Sequence, residues 1–186
     1  MFTRLHRWWI EVDQDREQPN RSAQLSCIRD FGNELYCAAE QPDSPLRLLR
    51  CVYFTRIFAP ERDGLGAYVR LHFFVGEQDQ NGAVADLDRR LEKLRQKGAV
   101  FQIRKETIDG IQEAKLKAAA SFPDLYYRYM EFLSRTAVQL FQKGVAHGEM
   151  DKLLWTWTHN FFNLLRGYNV SILEFPPGIP VRSWSI

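Results

Sequence analysis

The sequence predicts an α+β domain in which an antiparallel sheet is laid down first and helices follow. Three observations predict it. Two runs rich in β-branched and aromatic residues, Leu48–Phe58 and Ala67–Val75, flank Ala59–Gly66, whose Pro60, Gly64 and Gly66 mark a hairpin with a long loop. Apolar residues at helical spacing stand on both sides of that hairpin, as Leu25, Ile28, Phe31 (or Gly32) and Leu35 before it and Val84, Leu87, Leu91 and Leu94 after it. The second half then carries two longer periodic stretches with no strand between them.

Taken in order, Trp8–Val12 reads as a first strand and Asp13–Pro19 as a polar loop. Asn20 is placed to cap a helix that ends before Gln41-Pro42, and Pro42–Pro45 is a turn. The hairpin follows. Gly76–Gly82 is polar and breaks its second strand, and Asp86, Asp88, Arg89, Arg90, Glu92 and Lys93 cover the solvated side of the next helix. Gly98 suits the position after a helix end, and Ala99–Arg104 reads as a fourth strand. Strand, helix, strand, strand, helix, strand is the order of a ferredoxin-like βαββαβ sheet, with both helices on one face.

The remainder is read as an extension of that layer. Thr107–Ala120 is charged and alanine-rich and fits a short helix. Asp124 caps a helix with Leu125, Tyr129, Phe132, Leu133, Thr136 and Leu140 inward and Gly144 as its stop. Asp151 caps another, with Leu153, Leu154, Trp157, Phe161, Leu164 and Leu165 inward and Gly167 as its stop. Val170–Phe175 is a last short strand. The chain of 186 residues is thus one domain over 1–186, with a sheet layer in 1–107, a helical extension in 108–175 and a tail in 176–186.

Composition excludes several function classes. There are 25 basic and 23 acidic residues, a net charge of +2, too balanced to argue for a nucleic-acid or membrane-surface partner. No apolar stretch approaches a membrane span and the N-terminus is no signal peptide, so a cytoplasmic protein is expected. Cys27, Cys37 and Cys51 are odd in number and lack metal spacing, which fits buried, reduced thiols. The chain has no phosphate-binding loop, nucleophile elbow or His-Glu-x-x-His, and its four histidines have no metal-type spacing. Gly64-Leu-Gly66 is a turn and not a dinucleotide fingerprint, since no helix follows. No cofactor or metal is expected. The aromatic richness (5 Trp, 13 Phe, 7 Tyr) is compatible with a homodimer without demanding one.

The candidate site rests on arginines inside apolar strands. Arg56 and Arg70 cannot shed their charge, so burial demands an anionic or polar partner. Alternation puts Tyr53 and Thr55 on one face of the first hairpin strand and Phe54, Arg56 and Phe58 on the other; Tyr68, Arg70 and His72 share a face of the second. If the register permits, Arg56, Arg70 and His72 converge on an aromatic surface suited to a carboxylate or a developing enolate. Pairing of each arginine with a structural acid such as Glu11 or Glu174 is the competing reading. His159 lies in the apolar helix Thr156–Asn163; an imidazole there can serve as acid or base, but a lone histidine on a helix is more often a hydrogen-bonded core residue.

Phe54-Thr-Arg56, followed after the turn by Tyr68-Val-Arg-Leu-His-Phe73, resembles the paired strands of the C-terminal elimination domain of lantibiotic dehydratases, also called the thiopeptide-type bacteriocin biosynthesis domain. The Trp8-Trp9 strand and the helix from Leu153 to Leu165, with His159 four residues before Asn163, are similar to the same family. The resemblance implies action on a ribosomally made peptide, by eliminating glutamate from a glutamylated Ser or Thr or by joining two dehydroalanines into a ring. It implies that Arg56 contacts the anion, His159 handles the proton and Arg70 supports them, with Tyr53, Tyr68, His72, Arg104, Trp157 and Asn163 around the substrate. The partners implied are a peptide substrate or leader peptide and a partner biosynthetic enzyme. Ile57 stands where the family has tyrosine, the family's Glu-Arg-Tyr-Gly-Gly segment is missing, and Arg104 is the counterpart offered for its second arginine. Two other functions fit the sequence: a non-catalytic module that adds a partner strand to an exposed sheet edge, and a small-molecule pocket lined by Trp155, Trp157, Phe161 and Phe162.

Overall fold

A computed structural model of the chain describes residues 4–14, 21–57, 67–116 and 123–167; the side chains of Arg56, Trp155, His159 and Asn163 fall outside the described set, as do the hairpin loop and the last strand expected at Val170–Phe175. The elements run β1 (Arg4–Asp13), α1 (Arg21–Glu40), a 3₁₀ turn (Pro45–Leu48), β2 (Arg50–Ile57), β3 (Ala67–Phe74), α2 (Gln80–Gln96), β4 (Gln102–Asp109), α3 (Gly110–Leu116), α4 (Pro123–Gln142) and α5 (His147–Gly167). The result is an α+β fold on a four-stranded sheet of order β2-β3-β1-β4, with every neighbouring pair antiparallel.

Strand alternation divides the sheet into two unlike faces. Trp8, Ile10, Val12, Val52, Phe54, Ala67, Val69, Leu71 and Phe73 form the main core with Ile28, Phe31 and Leu35 of α1 and Ala83, Leu87 and Leu91 of α2. Both helices therefore cover the same face, and each presents the 3.6-period stripe that the sequence predicts. The other face begins apolar, where Leu5, Cys51 and Phe74 pack under Ala114, Tyr126 and Tyr127. It then turns polar and aromatic along the strands.

Several boundaries differ from expectation for identifiable reasons. β1 begins at Arg4 because Leu5 and His6 are themselves buried, His6 stacked on Phe73. β4 starts later and runs on to Asp109, and the short helix expected in Thr107–Ala120 is α3, which starts at Gly110 after the Asp109 carboxylate accepts from the Ile111 and Gln112 N–H groups. α5 begins at His147, one turn before Asp151. Gly98 and Gly144 take the positive φ of helix stops, +72° and +74°. Cys37 is exposed, so the expectation that all three thiols are buried fails there.

The inward stripe of α4 is displaced from the sequence reading. Leu133 faces inward as expected, but Leu125 and Phe132 are 44% and 51% exposed, and Tyr126, Tyr127, Ser134, Ala137 and Val138 face inward in their place. α4 lies against β2 and α1, with Val138 in the main core and Tyr126 and Tyr127 in the second cluster, so one helix wraps the outer margin of the sheet. Two edge groups of β2 are satisfied there by side chains. The Phe54 N–H donates to Ser134 Oγ at 3.0 Å and the Tyr36 hydroxyl donates to the Val52 carbonyl at 3.0 Å. Ser134→Ala should strand the buried Phe54 N–H and lower stability by about 1–2 kcal/mol in urea unfolding, while Ser134→Thr should recover most of the loss.

Candidate functional site

The polar face is built in rows across the strands. Thr55, Arg70, Trp9 and Arg104 form one row and Tyr53, His72, Arg7 and Glu106 the next, by the pairs Thr55–Arg70, Trp9–Arg70, Trp9–Arg104, Tyr53–His72, Arg7–His72 and Arg7–Glu106. Tyr68 and Glu11 are paired in a third row. Five residues expected at the site, Tyr53, Tyr68, Arg70, His72 and Arg104, thus share one face.

Arg56 is not in that set. It pairs with Val69, and so holds the register of Val52 and Phe54 on the opposite face. A β-bulge decides this. Arg50 pairs with Phe74, but the next pair is Tyr53 with His72, so β2 spends one extra residue there. Cys51 sits at the irregularity with φ 49°, a left-handed conformation rare outside glycine. Continued without the bulge, the ladder would have set Arg56 opposite Tyr68 and on the face of Arg70.

The described apolar contacts of the helix carrying His159 and Asn163 lie against α4. α5 packs on α4, where Met150 and Leu154 meet Leu133 and Ala137 in a cluster that contains no strand residue. Trp157 and Phe161 belong to the same seam, with Phe161 stacked on Tyr129 at 3.8 Å and Trp157 5.7 Å from Phe132. These two rings fill the space between helices, which leaves the aromatic pocket expected there without two of its four walls. Trp155 and Phe162 lie outside the described side chains.

The charges on the polar face are unequally matched. Arg7 holds the acids: its Nε lies 2.5 Å from Glu106 Oε1 and its Nη1 3.8 Å from Glu113 Oε1. Glu106 also accepts from Trp9 Nε1. Burial pushes the Glu106 carboxyl up, but the bonds from Arg7 and Trp9 and the charges of Arg7 and Arg104 outweigh it and leave the pKa lowered. Arg70 is different. Its side chain makes no ion pair among the described residues, its buried Nε has no hydrogen-bond partner there, and its guanidinium lies 4.7 Å from the centre of the Trp9 ring. Burial first, and then the neighbouring Arg7, lower its pKa from the ordinary value. Arg104 stands over the same indole, also at 4.7 Å.

Aromatic rings and hydroxyls complete the surface. His72 stacks on Tyr53 at 4.3 Å and its Nε2 lies 3.0 Å from Thr55 Oγ1. Burial, and then the nearby Tyr126, raise the Tyr53 pKa well above its usual range; burial and then Tyr127 do the same for Tyr126. Arg70 acts on both phenols in the opposite sense. Arg7, Trp9, Glu106, Glu113 and Tyr126 were missed in the sequence reading. The alternation of β1, which sets Trp9 and Glu11 on one side, carried the signal for Trp9. Arg7 lay just outside the strand as predicted.

No described helix is long and apolar enough to cross a membrane, and no three or more His, Cys, Asp or Glu side chains among the described residues are placed to hold a metal. Comparison of the chain with protein-family models, with curated proteins and with solved structures finds no match to any of them.

Proposed function

We propose that the chain is a peptide-binding domain of ribosomal peptide natural-product maturation, built on a ferredoxin-like sheet, whose polar face holds a carboxylate of the peptide beside Arg70. The observation that carries this is the half-buried Arg70 guanidinium, which lacks a carboxylate partner among the described residues although two glutamates stand nearby and are held by Arg7. Burying a charge costs several kcal/mol unless it is paired, so about one anion's worth of compensation is missing from the face. Trp9, Tyr53 and Tyr68 around it supply flat apolar surface for the rest of a peptide. The ferredoxin-like assignment is supported by the element order βαββαβ through β4 together with the strand order 2-3-1-4. The peptide and its pathway are supported by the sequence resemblance alone.

The proposal is one of holding rather than of elimination or ring closure. Arg56 has the register of the opposite face and α5 packs on α4, so the described residues do not gather Arg56, Arg70 and His159. A catalytic version would have to move its proton through His72, which shares the face with Arg70. The sheet face is also favoured over the β2 edge, because Ser134 of α4 and Tyr36 already engage backbone groups there that a partner strand would need.

The test is a titration with a glutamate-containing peptide and its glutamine counterpart, both capped at the ends, followed by tryptophan fluorescence. Saturable binding of the first, at least about tenfold tighter than the second, is expected from one charge-assisted contact. Equal affinities for the two peptides would remove the proposal.

A further inference from the structure

Among the described residues, Glu11 is an acid of the polar face that no arginine holds. It follows Trp9 by two residues in β1, so alternation sets both on one face, and it pairs with Tyr68 on one flank and Gln102 on the other. It is 9% exposed, whereas Glu106 and Glu113 are both held by Arg7. Two cations stand diagonally across from Glu11, and both are directed elsewhere: Arg70 and the exposed Arg104 each lie 4.7 Å from the centre of the Trp9 ring. The carboxylates that act on Arg70 are Glu113 and Glu106, so Glu11 does not supply the anion that Arg70 lacks. One face thus carries a largely buried cation and a largely buried anion that do not cancel each other, and each is costly alone. Neither carboxylate oxygen of Glu11 is among the unpartnered atoms closed off from solvent, so a ligand reaches them.

We propose that Glu11 is a second subsite, which takes a cationic group of the peptide while Arg70 takes its carboxylate. The inference rests on the binding reading above and deepens it by naming the ligand class: a short segment that carries both charges. The register sets their spacing. Glu11 lies in the row of Tyr68 and Arg70 in the row of Trp9, one two-residue step apart along the strands, about 7 Å. An extended peptide presents its same-side groups at that interval, so an acidic residue and a cationic one two positions apart meet Arg70 and Glu11 together. Tyr68 lies opposite Glu11, with the Trp9 ring edge-on to it at 6.2 Å, and the two rings offer the cation an aromatic surface. A ligand with both charges leaves the net charge of the face unchanged. An acidic segment without a cation meets Glu11 as a like charge.

The cation can be a lysine or the amino terminus of the peptide, and small probes separate the two. The full chain is titrated calorimetrically with N-acetyl-Glu-Ala-Lys amide and N-acetyl-Lys-Ala-Glu amide, each against its counterpart with glutamine in place of lysine. Ala-Glu-Ala amide with a free amino terminus is compared with its acetylated form, and N-acetyl-Gln-Ala-Lys amide carries the cation alone. At least one probe with both charges should bind at least about tenfold more tightly than its counterpart without the cation, and the largest gain identifies the source. Glu11→Gln keeps the shape of the side chain and should erase that gain, with a thermal melt unchanged or raised. No gain from any cation, a gain that survives Glu11→Gln, or a melt lowered by more than about 4 °C would each overturn the subsite. In the first of these cases the Arg70 reading still stands if glutamate peptides outbind glutamine ones. A lysine gain that depends on Glu11 but is as large without the glutamate of the peptide would keep the subsite and overturn the Arg70 reading instead.

Discussion

Replacing Arg70 by methionine is expected to make the protein more stable and to weaken the proposed binding of acidic peptides. A residue that serves the fold loses stability when removed. Arg70 has no described partner for its buried Nε, and its guanidinium meets Arg7 as a like charge, so a side chain of similar length without charge relieves burial and repulsion together. The gain should be about 1 kcal/mol, or roughly 2–4 °C in melting temperature for a domain of this size. The loss in affinity should be about 2 kcal/mol or more, roughly thirtyfold, because a bound carboxylate would be left without its cation. Arg7→Met is the control on the same face. It strips Glu106 and Glu113 of their cation and should cost about 1–3 kcal/mol. Destabilisation of similar size by both substitutions would mean that Arg70 is structural and that the candidate site is only a packed surface.

The second large effect concerns the seam between α1 and α4. A Cβ built on Gly32 would stand 2.8 Å from Val138 Cγ2 and 3.2 Å from the Phe54 ring. Two opposing terms act on Gly32→Ala. Helix propensity favours alanine by about 1 kcal/mol, and overpacking in a rigid seam costs about 1–3 kcal/mol. The Val138 methyl is held by the main core, so the clash should win and the variant should be destabilised by about 1–2 kcal/mol. Combining it with Val138→Ala should return much of that loss, because the added methyl enters the space the valine leaves. Equilibrium unfolding of the two single variants and the double variant measures the coupling. A Gly32→Ala protein more stable than the parent would show that α4 yields easily and does not grip the sheet margin.

What the sequence made legible follows from periodicity. The stripe of α1, the stripe of α2 and the paired β2 and β3 runs each repeat with the period of their own element, and each was placed by that repeat. Gly98 and Gly144 marked their stops because a positive φ selects glycine. The site was less legible, for two physical reasons. The register of Arg56 depends on a one-residue bulge, and that bulge turns on a left-handed cysteine, a residue type that gives no warning of such a conformation. The inner side of α4 was misread because Leu125, Tyr129 and Phe132 form a convincing stripe of their own, half exposed at Leu125 and Phe132, while the side that meets the sheet is made of tyrosines, Ser134 and small residues. Apolarity was the wrong guide there: the buried side of α4 caps an edge amide through Ser134 and donates the Tyr127 hydroxyl to the Gly110 carbonyl, and both contacts need polar atoms.

A strand lined with unmatched amides and carbonyls is a growing point, and a sheet with two of them can be extended without limit. Here the helix laid along β2 has used up one. Among the described residues the outer flank of β4 meets no further strand, so two copies could pair edge to edge through it, whereas a third would meet the β2 margin already engaged by Ser134 and Tyr36.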